Sequence, residues 1–417
     1  MASELRSNNM SNQAQAKAAK IPLTVWVLGF ASLLTDVSTE LIHAILPNFM
    51  TSVLHASFID IGLIEGLAET LASILKVFSG AWSDRIGKRK GLLLLGYGLS
   101  ALVKPLYLFA NSIVIVLVAR LADRVGKGLR GAPRDALVAD VTSAENRGRA
   151  YGLRQSLDTC GAVLGPLLAL LLMWLSQSNY QLAFAVALIP AFAVVLLLYF
   201  GVKEPVRKTQ SAAKLFDAKL LGELKGKMPA QFFYLIATVF LFSLANSSDA
   251  FLLLKARDCG LPLVACPLVL VAINISYAFC AYPAGILSDK VGHGRLLTIA
   301  FFLYALTYLG FAFVTQQSLM LLLCLVYGLY LGLSQGVLSA LVSQLTPEHL
   351  RGTAFGIVNF AVGLALLPAS LLTGFLYQHF GAFVAFATCA LIALLAALIL
   401  ALQLPGLRQA QAAVVSD

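Results

Sequence analysis

The sequence predicts an all-α polytopic membrane protein: twelve transmembrane helices in two pseudo-symmetric six-helix bundles. Three observations predict it. Of 417 residues, 59% are hydrophobic and only 12% charged, against about 25% charged in an average soluble domain. Apolar segments of about 20 residues, the length that crosses a bilayer, recur along the whole chain. Finally, the chain repeats itself at close to half its length, so a six-span unit is expected twice.

The elements follow in order. A polar tail, 1–22, precedes a full-length apolar run, which argues against a cleaved signal peptide. The first span, 23–50, carries Asp36, Glu40 and His43 within an arc of roughly 60° on one helix face. In the second, 57–83, Glu65 and Glu69 lie one turn apart and Lys76 returns to their face. The third, 90–110, has Lys104 two turns after Tyr97. The fourth, 112–140, packs Arg120, Asp123, Arg124, Lys127, Arg130, Arg134 and Asp135 into a crossing segment, and Gly126, Gly128, Gly131 and Pro133 are expected to loosen or break it. Arg154 and Asp158 mark the fifth, 148–176, and the sixth, 179–202, is plain. A basic linker, 203–228, separates the halves. The seventh to twelfth spans are expected at 229–256, 261–288, 294–315, 317–345, 351–378 and 381–404, followed by a tail at 405–417. Their polar interior candidates are Asn246, Asp249, Asn274, Tyr277, Gln335 and Asn359.

Cations gather at alternate turns: Lys17 and Lys20, Arg85 to Lys90, Arg147 and Arg149, the linker, then Lys290, Arg295 and Arg351. The other turns are nearly bare, with Lys255 and Arg257 as exceptions. The positive-inside rule then places both termini in the cytoplasm. The net charge of +10 is mostly this bias, so it does not indicate nucleic-acid binding. Trp26, Trp82 and Trp174 lie near span ends, as an interfacial belt requires. Six cysteines show no metal spacing; Cys259 and Cys266 flank one outer turn and are read as inert thiols rather than a disulfide. The glycines 126, 128 and 131 spell G-x-G-x-x-G without a preceding strand, and Gly332, Ser334 and Gly336 spell G-x-S-x-G inside an apolar span. Neither is an active site, and the chain is not expected to be an enzyme.

The repeat is visible in two matched stretches. GAWSDRIGKRK from Gly80 aligns with GILSDKVGHGR from Gly285, and AENRGRAYG around Arg147 with EHLRGTAFG around Arg351. Parallel repeats imply two bundles, a binding site between them near the midplane, and alternating access by rocking. GAWSDRIGKRK resembles the loop signature of the major facilitator superfamily after its second span, and the weaker copy falls after the eighth. The resemblance covers essentially the whole chain and implies secondary transport by a monomer. It also implies a cytoplasmic latch of Gly80, Asp84, Arg85, Gly87, Lys88 and Arg89, with Asp140 as acidic partner. The second copy comprises Gly285, Asp289, Lys290, Gly292 and Arg295. GLRQSLDTCGAVLGPLLAL resembles the fifth-span antiporter signature through Gly152, Gly161, Gly165 and Pro166, although its closing pair is Ala169 and Leu170 here. Charge density in the fourth span is similar to a bacterial permease branch with mostly unassigned substrates.

Charge inside a bilayer is costly, at least about 2.5–3.5 kcal/mol per group, and usually faces a bundle interior or aqueous cavity. Carboxylates there can bind and release a proton during a transport cycle. Asp36 and Glu40 are the leading candidates for proton coupling, followed by Glu65 and Glu69. The alternative is that they merely neutralise nearby cations. Lys104, Arg120, Arg124 and Lys127 would attract an anionic cargo, with Tyr97, Asn246, Asp249, Asn274 and Tyr277 completing the site. The expected function is therefore proton-coupled transport of a small organic anion (a polycarboxylate, phosphate ester or metal chelate such as a siderophore) across a bacterial inner membrane. The partners are that molecule and the lipid bilayer, with the proton as coupling ion and no other cofactor. Proton-coupled export of lipophilic or cationic drugs is the alternative, and a non-transporting sensor is a third.

Overall fold

The computed structural model describes residues 21–86, 89–143, 146–202, 228–347 and 350–416, with side chains described throughout these except at 80, 81, 84–86 and 411–416. Regular structure among them is helical. The N-terminal half comprises α1 (Leu23–Ser52), α2 (Phe58–Ile86), α3 (Arg89–Val103), α4 (Ile113–Val141), α5 (Arg147–Leu175) and α6 (Tyr180–Gly201). The C-terminal half comprises α7 (Ala230–Ala245), α8 (Ala250–Asp258), α9 (Leu268–Val291), α10 (His293–Phe313), α11 (Gln317–Gln344) and α12 (Arg351–Ser416). Among the described residues, nine stretches are long and apolar enough to cross a membrane. The long helices outside that set, α2 and α4, are the two of the long helices that are densest in charge.

Three elements depart from the expected spans. The third changes at Lys104 from α-helix to a tighter 3-10 turn, Lys104–Phe109, because Pro105 has no N–H to continue the α ladder. The seventh is two helices, α7 and α8, separated by an unwound stretch at 246–249. α12 continues to Ser416 where a tail was expected, and it breaks at Gly381, whose φ of 82° suits only glycine. In contrast, α4 does not break. It runs unbroken through Pro133, and its glycines serve packing instead. A Cβ on Gly126 would meet Gly96 O and Ser100 Oγ at 2.5 Å, and one on Gly128 would meet Leu75 Cβ at 2.6 Å. α3 and α2 therefore approach α4 at those points.

α1 packs along α5 and α2 along α4, while α7 and α10 pack against α12 and α9 against α11. Across the halves α2 lies along the first arm of α12, with smaller contacts of α5 with α9 and of α1 with α8. Arg257, after α8 begins its last turn, donates to Ser52 Oγ at 3.2 Å, so the ends of α1 and α8 share one face. The starts of both crossings, Leu23 and Ala230, then share the opposite face, where Gly406 packs beside Gln231. Further bridges close the Ser52 face. Phe58 stacks on Tyr377 with centroids 4.5 Å apart and its N–H donates to Gln378 Oε1 at 3.0 Å; within the C-terminal half the Tyr377 hydroxyl donates to Asp258.

The loop signatures are seen in part. Gly80, Asp84 and Arg85 fall in α2 but their surroundings lie outside the described residues, as do Gly87, Lys88 and linker positions 203–227. Arg89 and Asp140 do meet, at 3.0 Å, within the N-terminal half. In the second copy Gly292 has φ +98° and ends α9 in a conformation side chains disfavour. Asp289 lies 3.5 Å from His293, and Gly285, Lys290 and Arg295 are exposed. Cys259 and Cys266 are free, buried thiols.

The fifth-helix glycines seat α5 on α1. A Cβ on Gly161 would meet Leu33 O at 2.5 Å and one on Gly165 would meet Glu40 Cβ at 2.8 Å, whereas Gly152 has open space around it. α5 passes Pro166 without interruption. Gly161→Val is therefore expected to lower stability by about 1–3 kcal/mol through overpacking, read as a lower unfolding midpoint in detergent. Gly152→Ala is expected to leave that midpoint unchanged.

Candidate functional site: a polar cavity between the halves

α1, α2 and α4 bring their charged faces together because each carries its charges at helical spacing on the side turned from lipid. Arg120 Nη2 donates to Glu65 Oε2 at 2.6 Å, both side chains being 1% exposed. One turn further, Arg124 meets Glu69 at 3.1 Å. His43 lies between two carboxylates, with Nδ1 3.5 Å from Glu40 Oε2 and Nε2 3.9 Å from Glu65 Oε2. Lys127, next along the same face of α4, is exposed and has no carboxylate in ion-pairing reach among the described residues.

Nearer the face where α1 begins is a second cluster. Arg134 donates to Ser32 Oγ at 2.9 Å and lies 3.6 Å from Asp158. Arg154 lies 3.6 Å from Asp135 and 3.7 Å from Asp158. Asp36 faces Asp158 and Arg134 here, and its Cβ would touch a side chain at Gly161. Lys104 stands apart from both clusters. Its ammonium is buried between α1 and α6, donating to Ser38 Oγ at 2.5 Å and Thr39 Oγ1 at 3.2 Å, while Ser38 donates onward to Ala187 O. Tyr97 is buried with its ring under the Arg130 guanidinium, 4.7 Å from the centroid.

The C-terminal half contributes the unwound stretch. Backbone groups freed inside a membrane need partners, and α7 ends with Ala245 O accepting from the Tyr304 hydroxyl at 2.7 Å. Ser248 Oγ accepts from Ala250 N–H at 3.2 Å, and the Asp249 carboxylate makes no cap to α8. Tyr327 donates to Asp249 Oδ1 at 3.1 Å. Behind it Tyr304, Tyr308, Tyr327 and Tyr330 form an aromatic cluster, with Tyr304 stacked on Tyr308 and packed edge to face with Tyr330.

Between the halves lies a cavity of about 440 Å³, within the range of about 300–1,000 Å³ typical of small-molecule sites. Glu40, His43, Glu65, Glu69, Arg124 and Lys127 line one wall, and Asn246, Asp249, Asn274, Tyr277, Tyr327 and Gln335 line the other. Of the proposed proton carriers, Asp36 lies off this lining. Of the proposed cargo ligands, Lys104, Arg120 and Tyr97 lie behind it. His43 and Tyr327 line the cavity but were not among the sequence-proposed site residues. His43 had a signal, since it shares an arc with Glu40. Tyr327 had only its spacing from Tyr330, which reads equally well as core packing.

The Glu65–Arg120 pair yields a test. Glu65→Leu alone leaves a buried guanidinium unpaired and is expected to cost about 3–5 kcal/mol, seen as a large fall in unfolding midpoint. Combining it with Arg120→Met is expected to recover most of that loss. A double variant no more stable than the single would show that the two groups are not one pair.

The model of the Major Facilitator Superfamily matches residues 28–370 and 268–414. An uncharacterized MFS-type transporter of Methanocaldococcus jannaschii is 36% identical over 382 residues, covering 90% of this chain and 92% of that one. The multi-drug resistance efflux pump PmrA of Streptococcus pneumoniae is 26% identical over 352 residues, covering 81% and 86%. Among solved structures, a bacterial homolog of the human lysosomal transporter Spinster, inward-facing and occupied, superposes with a TM-score of 0.73 at 15% identity, covering 91% of this chain and 95% of that one. A peptide transporter in complex with sulfate gives 0.77 at 14% identity, covering 95% and 99%; both likenesses concern the fold. A helical multi-pass membrane chain with a polar cavity between repeated halves, matched by that model along nearly its whole length, belongs to the Major Facilitator Superfamily of transporters.

Proposed function

We propose that this chain is a proton-coupled secondary active transporter that carries a small molecule bearing an anionic group across a bacterial inner membrane. The observation that carries this reading is Lys127, an unpaired cation facing the cavity, with Arg124 one turn away on the same wall. Of the four cations proposed for anion binding, Arg120, Lys104 and Arg124 have their charges engaged inside the bundle or by Glu69, so the role narrows to Lys127, with Arg124 beside it. Counting α2 and α4 as crossings and dividing α12 at Gly381 gives twelve spans, with both ends of the chain in the cytoplasm.

Proton coupling is assigned to the α1 stripe. Asp36 beside Asp158, then Glu40, then His43 form a line from the face where α1 begins to the cavity. Closure at the Ser52 face by Arg257, Tyr377 and Phe58 supports an arrangement open toward the cytoplasm, one of the two states that alternating access requires. Export of lipophilic cations is the second reading. It is supported by the Asp249 carboxylate on the opposite wall and by similarity to a chain named as a multi-drug efflux pump.

The test is flux into liposomes with a pH dye inside. One set of pools holds carboxylates, phosphate esters, metal chelates and amino acids; a separate set holds lipophilic cations. Pools carrying an anionic group are expected to drive a pH change that Lys127→Gln and Glu40→Gln each abolish. A response confined to lipophilic cations would establish the second reading, and flux without any pH change would remove proton coupling.

A further inference from the structure

Each wall of the cavity carries one charged group without an ion-pair partner in reach among the described residues, Lys127 on one and Asp249 on the other. On the N-terminal side Glu65 and Glu69 pair with Arg120 and Arg124, Glu40 has the His43 imidazole 3.5 Å away, and Lys127 has no carboxylate in ion-pairing reach among the described residues. On the C-terminal side Asp249 has the Tyr327 hydroxyl on Oδ1. Among the described residues it has no cation in ion-pairing reach. It makes no side-chain cap to α8, so its second oxygen is free toward the cavity it lines.

The surroundings of the two charges differ. Asp249 is faced from the other half by His43 and by Glu40 and Glu69, whose charges repel its own. Lys127 is faced by Arg124, which repels it, and by Glu69, Glu40 and Asp36. A cargo with only an anionic group would satisfy Lys127 and leave Asp249 repelled across the seam. A purely cationic cargo would do the reverse. A molecule carrying both signs satisfies both groups at once.

We propose that the cargo is a small zwitterion, of the amino-acid or short-peptide kind, whose anionic group meets Lys127 while its cationic group bridges to Asp249. This rests on the reading that Lys127 receives the anionic group, and adds a second point of recognition on the other half. Asn246, Asn274 and Gln335, beside Asp249 on that wall, supply neutral hydrogen-bonding groups for the rest of the molecule. A cargo held at both ends ties the two bundles together, so loading would favour closure of the cavity around it.

The experiment titrates the full chain, purified in detergent, with a panel of amino acids and dipeptides. Each is matched by its N-acetylated form, which is only anionic, and its C-amidated form, which is only cationic; binding is read from the shift in unfolding midpoint. Parent zwitterions are expected to bind, and each blocked form to bind about ten- to a hundredfold more weakly, the scale of one charged hydrogen bond. Asp249→Asn is expected to erase the penalty for acetylation and keep that for amidation; Lys127→Gln is expected to do the opposite. Asp249→Asn keeps an oxygen for Tyr327, so its unliganded midpoint should match the wild type, and Asp249→Glu should restore discrimination. Acetylated forms that bind the wild type as tightly as their parents would overturn the zwitterion and leave the anion reading standing. Amides that bind tightly and ignore Lys127→Gln would overturn both. Absence of binding by every parent zwitterion would overturn this proposal, as would stabilisation by sodium chloride over choline chloride that Asp249→Asn removes, since Asp249 would then hold a coupling ion.

Discussion

An ionised group left alone in a medium that cannot solvate it is destabilising by several kcal/mol, and removing one partner of a buried pair exposes that cost. Much of the N-terminal half is arranged around this constraint. Arg120 and Glu65, both 1% exposed, are tolerable only together, and their meeting fixes the rotation of α4 relative to α2. Arg124 with Glu69 repeats the contact one turn along, which makes the register between the two helices unambiguous. Gly128 allows the approach by removing the Cβ that would strike Leu75. On the other flank Gly161 and Gly165 bring α5 onto the backbone of α1 beside Asp36 and Glu40. Small residues and charges thus act jointly: glycine sets the distance, and the ion pair sets the rotation.

The same constraint applies to the backbone and produces the contrast between the halves. Unpaired peptide groups are tolerated at membrane depth only when buried in protein or facing water. The break after Ala245 meets that condition through the Tyr304 hydroxyl and the side chain of Ser248. Four consecutive residues, Asn246 to Asp249, thereby reach the cavity from one short stretch, which a regular helix would have spread around its circumference. The N-terminal wall is built from pairs on regular helices, and the C-terminal wall from one interruption backed by a cluster of tyrosines. The two halves thus present different walls to the cavity, one ionic with Lys127 beside its paired charges, the other largely neutral with one carboxylate.

Some of the site could be read before any packing was known. Glu40, Glu65, Glu69, Arg124 and Lys127 recur at three- and four-residue spacing, and that periodicity alone assigns them to helix faces that avoid lipid. Arg120 and Lys104 carry the same signal, yet they lie behind the cavity wall. Periodicity specifies a face; it does not say whether that face meets water or a neighbouring carboxylate. The glycines of α4 show the same ambiguity. Gly126, Gly128 and Gly131 with Pro133 suggest a weakened helix, but a helix enclosed by α2 and α3 keeps its hydrogen bonds, and its glycines become sites of close approach. The seventh span was expected to be continuous over 229–256, although Asn-Ser-Ser-Asp within it carries a signal for the break, since four polar residues in succession cannot share one helix face.

The sequence by itself determined that the chain crosses a membrane many times, that it does so in two related halves, and which helix faces carry charge. Those properties follow from hydropathy, length and helical period, all local to a segment. Only the tertiary structure decided that Glu65 and Glu69 are engaged by Arg120 and Arg124, that Lys127 and Asp249 remain available on opposite walls, and that Asp36 sits with Asp158 off the cavity. These outcomes depend on the rotation and spacing of helices far apart in sequence. An ion pair forms or fails over a few ångströms, a distance that no pattern along one segment can specify.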